Sequence, residues 1–278
     1  MQDTIVSLYC VCDEFLKAMN HQDDPQARLS SAEVMCVPLV AARYFGDKVE
    51  RAQEFLFEHG YLGTALSKSR LNRRLHALPL ELWHTLFGLL GQVFKDHNPD
   101  NLYTIDSMPF PACDNIRIQR CVLLEGEEHR GYCASKRRYF FGLKVHLLIT
   151  GSGQPVEFVL TPGSTADVKA LKEFDLDLPA EAVIHADRAY TDYPEEDLLQ
   201  EAGQIILRPQ RKKNSQRPLP VLPVCLEFLG KPVRQRVETT FSQIEALLPR
   251  HIHAVTQKGF VLKTICFLLV TSLNYFQW

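Results

Sequence analysis

The chain has 278 residues, room for one large domain with an appendage or for two domains. Hydrophobic residues make up 46%, which excludes a disordered chain. The net charge of −2 excludes attachment to nucleic acid through overall charge, so any polyanion contact must come from local basic patches.

Residues 1–98 read as helical, with the potential for a helix-turn-helix DNA-binding region. Ser30-Ser31-Ala32-Glu33 has the form of a capping box, and Pro38 predicts a kink or a restart within the helix that follows. A second helix is predicted from Asp47 to Glu58, stopping at Gly60. A third starts near Ser67 and carries Leu71, Leu75, Leu78 and Leu82 at spacings of three or four. Its other face offers Lys68, Arg70, Arg73 and Arg74, with no acid between Leu66 and Leu80.

His97-Asn98-Pro99-Asp100 marks a boundary, and residues 99–278 change pattern. Strands are predicted over 102–107, 138–150, 156–161, 182–187 and 204–207, the second and third joined by the Gly151-Ser152-Gly153 turn. Short helices are predicted over 167–174 and from Asp192, as cap, to Gly203. A basic loop, a helix holding Glu238 and a C-terminal helix complete the chain. The last segment, Thr264 to Trp278, carries no formal charge but is shorter than the ~20 apolar residues of a membrane span, so it reads as a buried helix. This order predicts an α/β fold: an RNase H-like mixed five-stranded sheet flanked by helices, after an all-helical N-terminal region. In such a sheet the first and fourth strands can be neighbours.

Eight cysteines form no Cys-x-x-Cys pair and no zinc-ligand spacing with histidine. Asp3, Asp13 and Glu14 around a short apolar stretch do not make a signal peptide. The expectation is a cytoplasmic protein with reduced thiols and no membrane contact.

Three acids stand out. Asp106 follows the apolar run Leu102-Tyr103-Thr104-Ile105, and Asp187 follows Val183-Ile184-His185-Ala186. A carboxylate at the end of an apolar strand is costly unless solvated, paired or bound to metal. Asp106 could instead cap a turn, and Arg188 could pair Asp187. Glu238 lies beside an apolar helical stripe, one turn from Arg234, and spacing alone does not choose between it and Glu245. Two strand-end aspartates and a helical glutamate are the oxygen donors of a two-metal phosphoryl-transfer site.

Positive charge is local. The run Arg208 to Pro218, with Arg211, Lys212, Lys213 and Arg217, contains no acid and lies between Asp187 and Glu238, where it suits a phosphate backbone. Lys136, Arg137 and Arg138 stand next to Tyr139, Phe140 and Phe141, which fit either base stacking or the strand face of a core. His251 and His253 are a weak pair of metal-ligand candidates.

Taken together, the runs Ile105-Asp106-Ser107-Met108-Pro109, Arg130-Gly131-Tyr132, Ser135-Lys136-Arg137-Arg138-Tyr139-Phe140, Ala186-Asp187-Arg188-Ala189-Tyr190-Thr191-Asp192, Gln210-Arg211-Lys212-Lys213-Asn214-Ser215 and Arg236-Val237-Glu238-Thr239-Thr240-Phe241-Ser242 resemble the DDE transposases of bacterial insertion sequences. The family numbered 982 is the nearest in pattern. The resemblance implies a catalytic triad of Asp106, Asp187 and Glu238 holding two Mg²⁺ ions, with Mn²⁺ able to substitute. It implies cleavage at terminal inverted repeats and strand transfer into target DNA, by at least a dimer on double-stranded DNA in the bacterial nucleoid. Arg70, Arg73, Arg74, Lys136, Arg137, Arg138, Arg188, Arg211, Lys212, Lys213 and Arg234 are then the expected DNA contacts. Two departures appear around the last acid: Lys231 stands where related families have Tyr, and Glu245 where they have Lys. A stand-alone metal-dependent nuclease of the same fold, or a non-catalytic DNA-binding descendant, is the alternative.

Overall fold

The computed structural model describes residues 1–276 except 114, 134–136, 212–214, 216, 220 and 223, and gives the backbone alone for 115–117, 226–227, 229–231 and 234. The helices are α1 (Gln2–Ala18), α2 (Ser31–Tyr44), α3 (Val49–Glu58), α4 (Lys68–Ala77), α5 (Leu80–Asp96), α6 (Asp167–Leu171), α7 (Tyr193–Gly203), α8 (Val224–Leu247) and α9 (Gln257–Leu273). The strands are β1 (Leu102–Cys113), β2 (Arg130–Cys133), β3 (Arg138–Thr150), β4 (Pro155–Pro162), β5 (Val183–Ala186) and β6 (Ile206–Pro209). Two compact units result, Met1–Phe87 with Ile244–Trp278, and Gly88–Gln243.

In the first unit α2 is buried on nearly every side, because α1, α3, α4 and α9 pack around it. The capping box forms: the Ser30 N–H donates to Glu33 Oε2 at 2.6 Å and the Glu33 N–H donates to Ser30 Oγ at 3.2 Å. The helix runs through Pro38 without restarting. The third predicted helix does not run to Leu82. It ends at Ala77, and Leu78 turns to ψ 124°, the extended backbone favoured before a proline, here Pro79. α9 is an apolar core helix, and no helix among the described residues is long and apolar enough to cross a membrane.

A buried ion pair holds the loop before α3. Lys263 Nζ donates to Asp47 Oδ2 at 2.7 Å and to the His253 carbonyl at 2.6 Å. Burial raises the Asp47 pKa, and Lys263 opposes the rise. Asp47 has φ 67°, a left-handed backbone that Asn also tolerates. Asp47→Asn therefore isolates the charge. It is expected to cost about 2 kcal/mol, below the usual loss for a broken buried pair because Lys263 stays 20% exposed, and to lower the urea midpoint.

The second unit is built on a mixed sheet of six strands, in the order β2-β3-β1-β5-β6 with β4 also on β3. The prediction of five strands omitted β2, whose Arg-Gly-Tyr-Cys sequence has no alternation to reveal it. β2 and β4 share one edge of β3, pairing with residues 138–141 and 143–149 respectively. The sheet is therefore five strands wide. Antiparallel β4-β3-β1 followed by parallel β5 and β6 is the RNase H-like arrangement.

Leu102 to Ile105 are all buried, so both faces of β1 are covered. On one face the Thr104 hydroxyl donates to the Val233 carbonyl at 3.3 Å and the Thr240 hydroxyl to the Gly153 carbonyl at 2.8 Å, which places α8. Elsewhere α5 lies directly on β4: a Cβ at Gly91 would fall 2.2 Å from the Val156 carbonyl oxygen, so only glycine fits.

Candidate active site

β1 and β5 run parallel, and their pairing ends with Ile105 beside Ala186. Asp106 and Asp187 are the next residues of each chain segment, so the two acids stand side by side at adjoining strand positions. Alternation puts Thr104 and Asp106 on one face, with His185 and Asp187 beside them. That is the face α8 covers.

Both aspartates are half-buried, and each accepts a bond from a backbone N–H close to it in the chain, Asp106 within β1 and Asp187 at the turn after β5. The Ser107 N–H donates to Asp106 Oδ1 at 2.7 Å. The Ala189 N–H donates to Asp187 Oδ1 at 2.7 Å, so Asp187 caps the 3₁₀ turn Arg188–Tyr190. Hard oxygen donors placed together in this way suit a divalent cation. The third expected acid is not gathered with them. Glu238 is exposed on α8, and among the described residues no three His, Cys, Asp or Glu side chains form a group able to hold a metal ion.

Behind the aspartates, on the opposite face, lies a polar network that the sequence did not reveal. Ser107 Oγ donates to Asp167 Oδ1 at 3.0 Å. Lys144 Nζ donates to the same oxygen at 3.2 Å and to the Thr165 carbonyl at 2.8 Å. His146, directly across from Ser107 in the β1–β3 ladder, is fully buried. Its Nδ1 is 3.2 Å from the Tyr190 hydroxyl and its Nε2 is 2.9 Å from the Thr161 hydroxyl. Burial lowers the His146 pKa, which keeps the ring neutral at neutral pH. The signal available in the sequence was Lys144 and His146, two polar residues two apart within the apolar stretch Phe140 to Ile149.

A family model described as transposase DDE domain matches residues 97–273. The chain belongs to the transposase DDE domain family. No curated protein matches it. Among solved structures the DDE chain is similar to a piggyBac transposase synaptic complex with hairpin DNA, at 11% identity and TM-score 0.47, covering 98% of this chain and 71% of that one. A Mos1 transposase paired-end complex with left transposon end follows at 9% identity and TM-score 0.24, covering 87% and 88%. The Mos1 mariner paired-end complex with Mn gives 12% identity and TM-score 0.23, covering 96% and 88%.

The basic residues of this DDE chain divide into two groups. Arg70, Arg73, Arg137, Arg138 and Arg188 are exposed. Others are engaged within the fold. Arg74 donates to the Leu29 carbonyl at 3.0 Å and lies 3.7 Å from Asp23. Arg211 is bound by both carboxylate oxygens of buried Glu196, one at 2.8 Å, with its guanidinium 4.9 Å from the Tyr193 ring centre. Arg217 grips Asp197 in the same two-pronged way and lies 5.6 Å from that ring. Helix α7 thus fastens the chain at positions 211 and 217. Asp192 stands at its cap position but makes no capping bond, and pairs instead with Lys172 at 2.8 Å. Lys136, Lys212 and Lys213 lie outside the described residues, as does the Arg234 side chain. Of the aromatics near Arg138, Phe140 and Phe141 are buried, while Tyr139 pairs across the strands with Tyr132, ring centres 5.0 Å apart, and both stay half exposed.

Proposed function

We propose that the protein is a transposase that cuts DNA at transposon ends and joins the freed ends to target DNA, with Asp106, Asp187 and Glu238 as its acids. The supporting observation is the side-by-side placement of Asp106 and Asp187 within a DDE domain. Those two residues would hold the first of the divalent cations, Mg²⁺ or Mn²⁺, with Glu238 completing the set from α8. Bound cations supply activation of the attacking oxygen and stabilisation of the leaving one. The chain's own contribution is orientation: backbone N–H groups fix one oxygen of each aspartate before any ligand arrives. Relationship to the insertion-sequence family numbered 982, action on terminal inverted repeats, and assembly of at least a dimer on DNA belong to the same proposal.

The exposed position of Glu238, apart from the two aspartates, favours a second reading: a transposase-derived protein that binds DNA without cutting it. Purified protein mixed with labelled transposon-end DNA, a plasmid target and Mg²⁺ or EDTA separates the two. Mg²⁺-dependent joined product is expected. Cutting without joining would indicate a nuclease, and binding with no metal-dependent product would establish the second reading.

DNA contact is assigned to Arg188 beside Asp187, to Arg137 and Arg138 at the opposite end of β3 from the acids, and to Arg70 and Arg73 on α4, residues 1–98 serving recognition of the ends. Arg137→Ala with Arg138→Ala is expected to weaken binding to all sequences alike. The slope of log affinity against log salt should fall by about 0.9 for each phosphate that is no longer neutralised. A titration over several salt concentrations reads it directly. Arg70→Ala with Arg73→Ala probes end recognition better than a truncation, because α4 packs with α2.

A further inference from the structure

We infer that Asp167 is a positioning residue for the Asp106–Asp187 pair, acting through Ser107, and that its charge strengthens the field drawing divalent cations there. The inference rests on the metal-dependent reading proposed above.

Ser107 is the connector. Its backbone N–H donates to Asp106 Oδ1 at 2.7 Å while its hydroxyl donates to Asp167 Oδ1 at 3.0 Å. One residue therefore touches both carboxylates, from opposite faces of the sheet. Asp167 also reaches the other turn. Its Oδ1 lies 3.5 Å from His146 Nδ1, and the same nitrogen is 3.2 Å from the hydroxyl of Tyr190. Tyr190 closes the 3₁₀ turn that Asp187 caps. The fully buried Tyr190 hydroxyl has its pKa raised first by burial and then by the charges of Asp167, Asp106 and Asp187, so all three carboxylates act on one atom.

A neutral side chain could accept the Ser107 hydroxyl as well as Asp167 does. The arrangement instead keeps a carboxylate on α6 and a lysine on β3, each only 17% exposed, where apolar packing would avoid their desolvation. Lys144 offsets the Asp167 charge at 3.2 Å. The two residues thus act with opposite sign on any cation held by Asp106 and Asp187, and this separates an electrostatic role from a merely structural one.

The test uses the full chain and Mn²⁺ alone as probe, with free Mn²⁺ counted by electron paramagnetic resonance and with thermal unfolding followed in parallel. Binding that disappears in Asp187→Asn defines the site. Asp167→Asn keeps the shape and is expected to raise the Mn²⁺ dissociation constant about fivefold or more. Lys144→Met keeps the stem, removes the positive charge, and is expected to tighten Mn²⁺ by a similar factor. The inference fails if Asp167→Asn binds Mn²⁺ as the parent protein does. It fails equally if both variants weaken binding in step with their reduced stability. If the parent shows no Asp187-dependent Mn²⁺ binding, the metal-dependent reading falls and takes this inference with it. Normal binding with an unaffected Asp167→Asn overturns the inference alone.

Discussion

Asp187→Asn is expected to lower metal-dependent DNA cleavage by about a thousandfold or more while leaving the fold intact. A cation's stabilisation of transition-state charge amounts to several kcal/mol, and each 1.4 kcal/mol or so is a factor of ten in rate. The fold should survive because of what Asp187 does locally. Its Oδ1 accepts the Ala189 N–H and caps the 3₁₀ turn. Asn presents the same carbonyl oxygen and ranks with Asp as a cap. The turn, the neighbouring Tyr190 and the β1–β5 ladder should all persist. Cleavage kinetics at saturating Mg²⁺, set beside an unchanged unfolding midpoint and unchanged DNA affinity in EDTA, make the measurement. Near-normal cleavage by this variant would exclude Asp187 from the chemistry. The companion Glu238→Gln decides whether the exposed glutamate joins the aspartates: wild-type cutting would leave the site with two acids, and loss of cutting would mean that α8 delivers its carboxylate only when DNA and metal are bound.

The aspartates were legible because each carboxylate breaks a short apolar run, and those runs, buried on both faces, marked the strands; β1 itself continues past Asp106 to Cys113. β1 and β5 were found in this way, and strand order alone suggested that they could be neighbours. The helical break at Pro79 was visible too, had the residue before it been weighed as extended backbone. β2 was not legible. Its four residues carry no apolar alternation and pair only because β3 is long enough to hold β4 and a second partner on the same edge. The network around Asp167 was hidden for a different reason. Its members lie at positions 107, 144, 146, 161, 167 and 190, and only the sheet brings them together. For the arginines, sequence gives charge but not commitment: Arg211 reads as a phosphate contact in a run without acids, and its partner Glu196 lies on the preceding helix.

Glu196→Ala is expected to cost about 3–5 kcal/mol of stability, the usual result of leaving one member of a buried pair without the other. Both side chains are more than nine-tenths buried, and the contact is two-pronged, so the guanidinium left behind would keep neither its charge partner nor water. Arg211→Ala should cost a comparable amount by exposing the converse defect, a buried carboxylate. Replacing both, Glu196→Leu with Arg211→Met, should recover much of the loss, because no uncompensated charge remains. Denaturant unfolding of the three variants completes a double-mutant cycle. The same set tests the assignment of Arg211 to DNA. A residue gripping a phosphate would, when removed, flatten the salt dependence of binding and leave stability alone. A residue clamping the chain to α7 would do the reverse. The stacked Tyr193 ring and the parallel Arg217–Asp197 clamp place Arg211 in the second class. On that basis Arg211→Ala should unfold early and, at temperatures where it remains folded, retain the parent's salt slope.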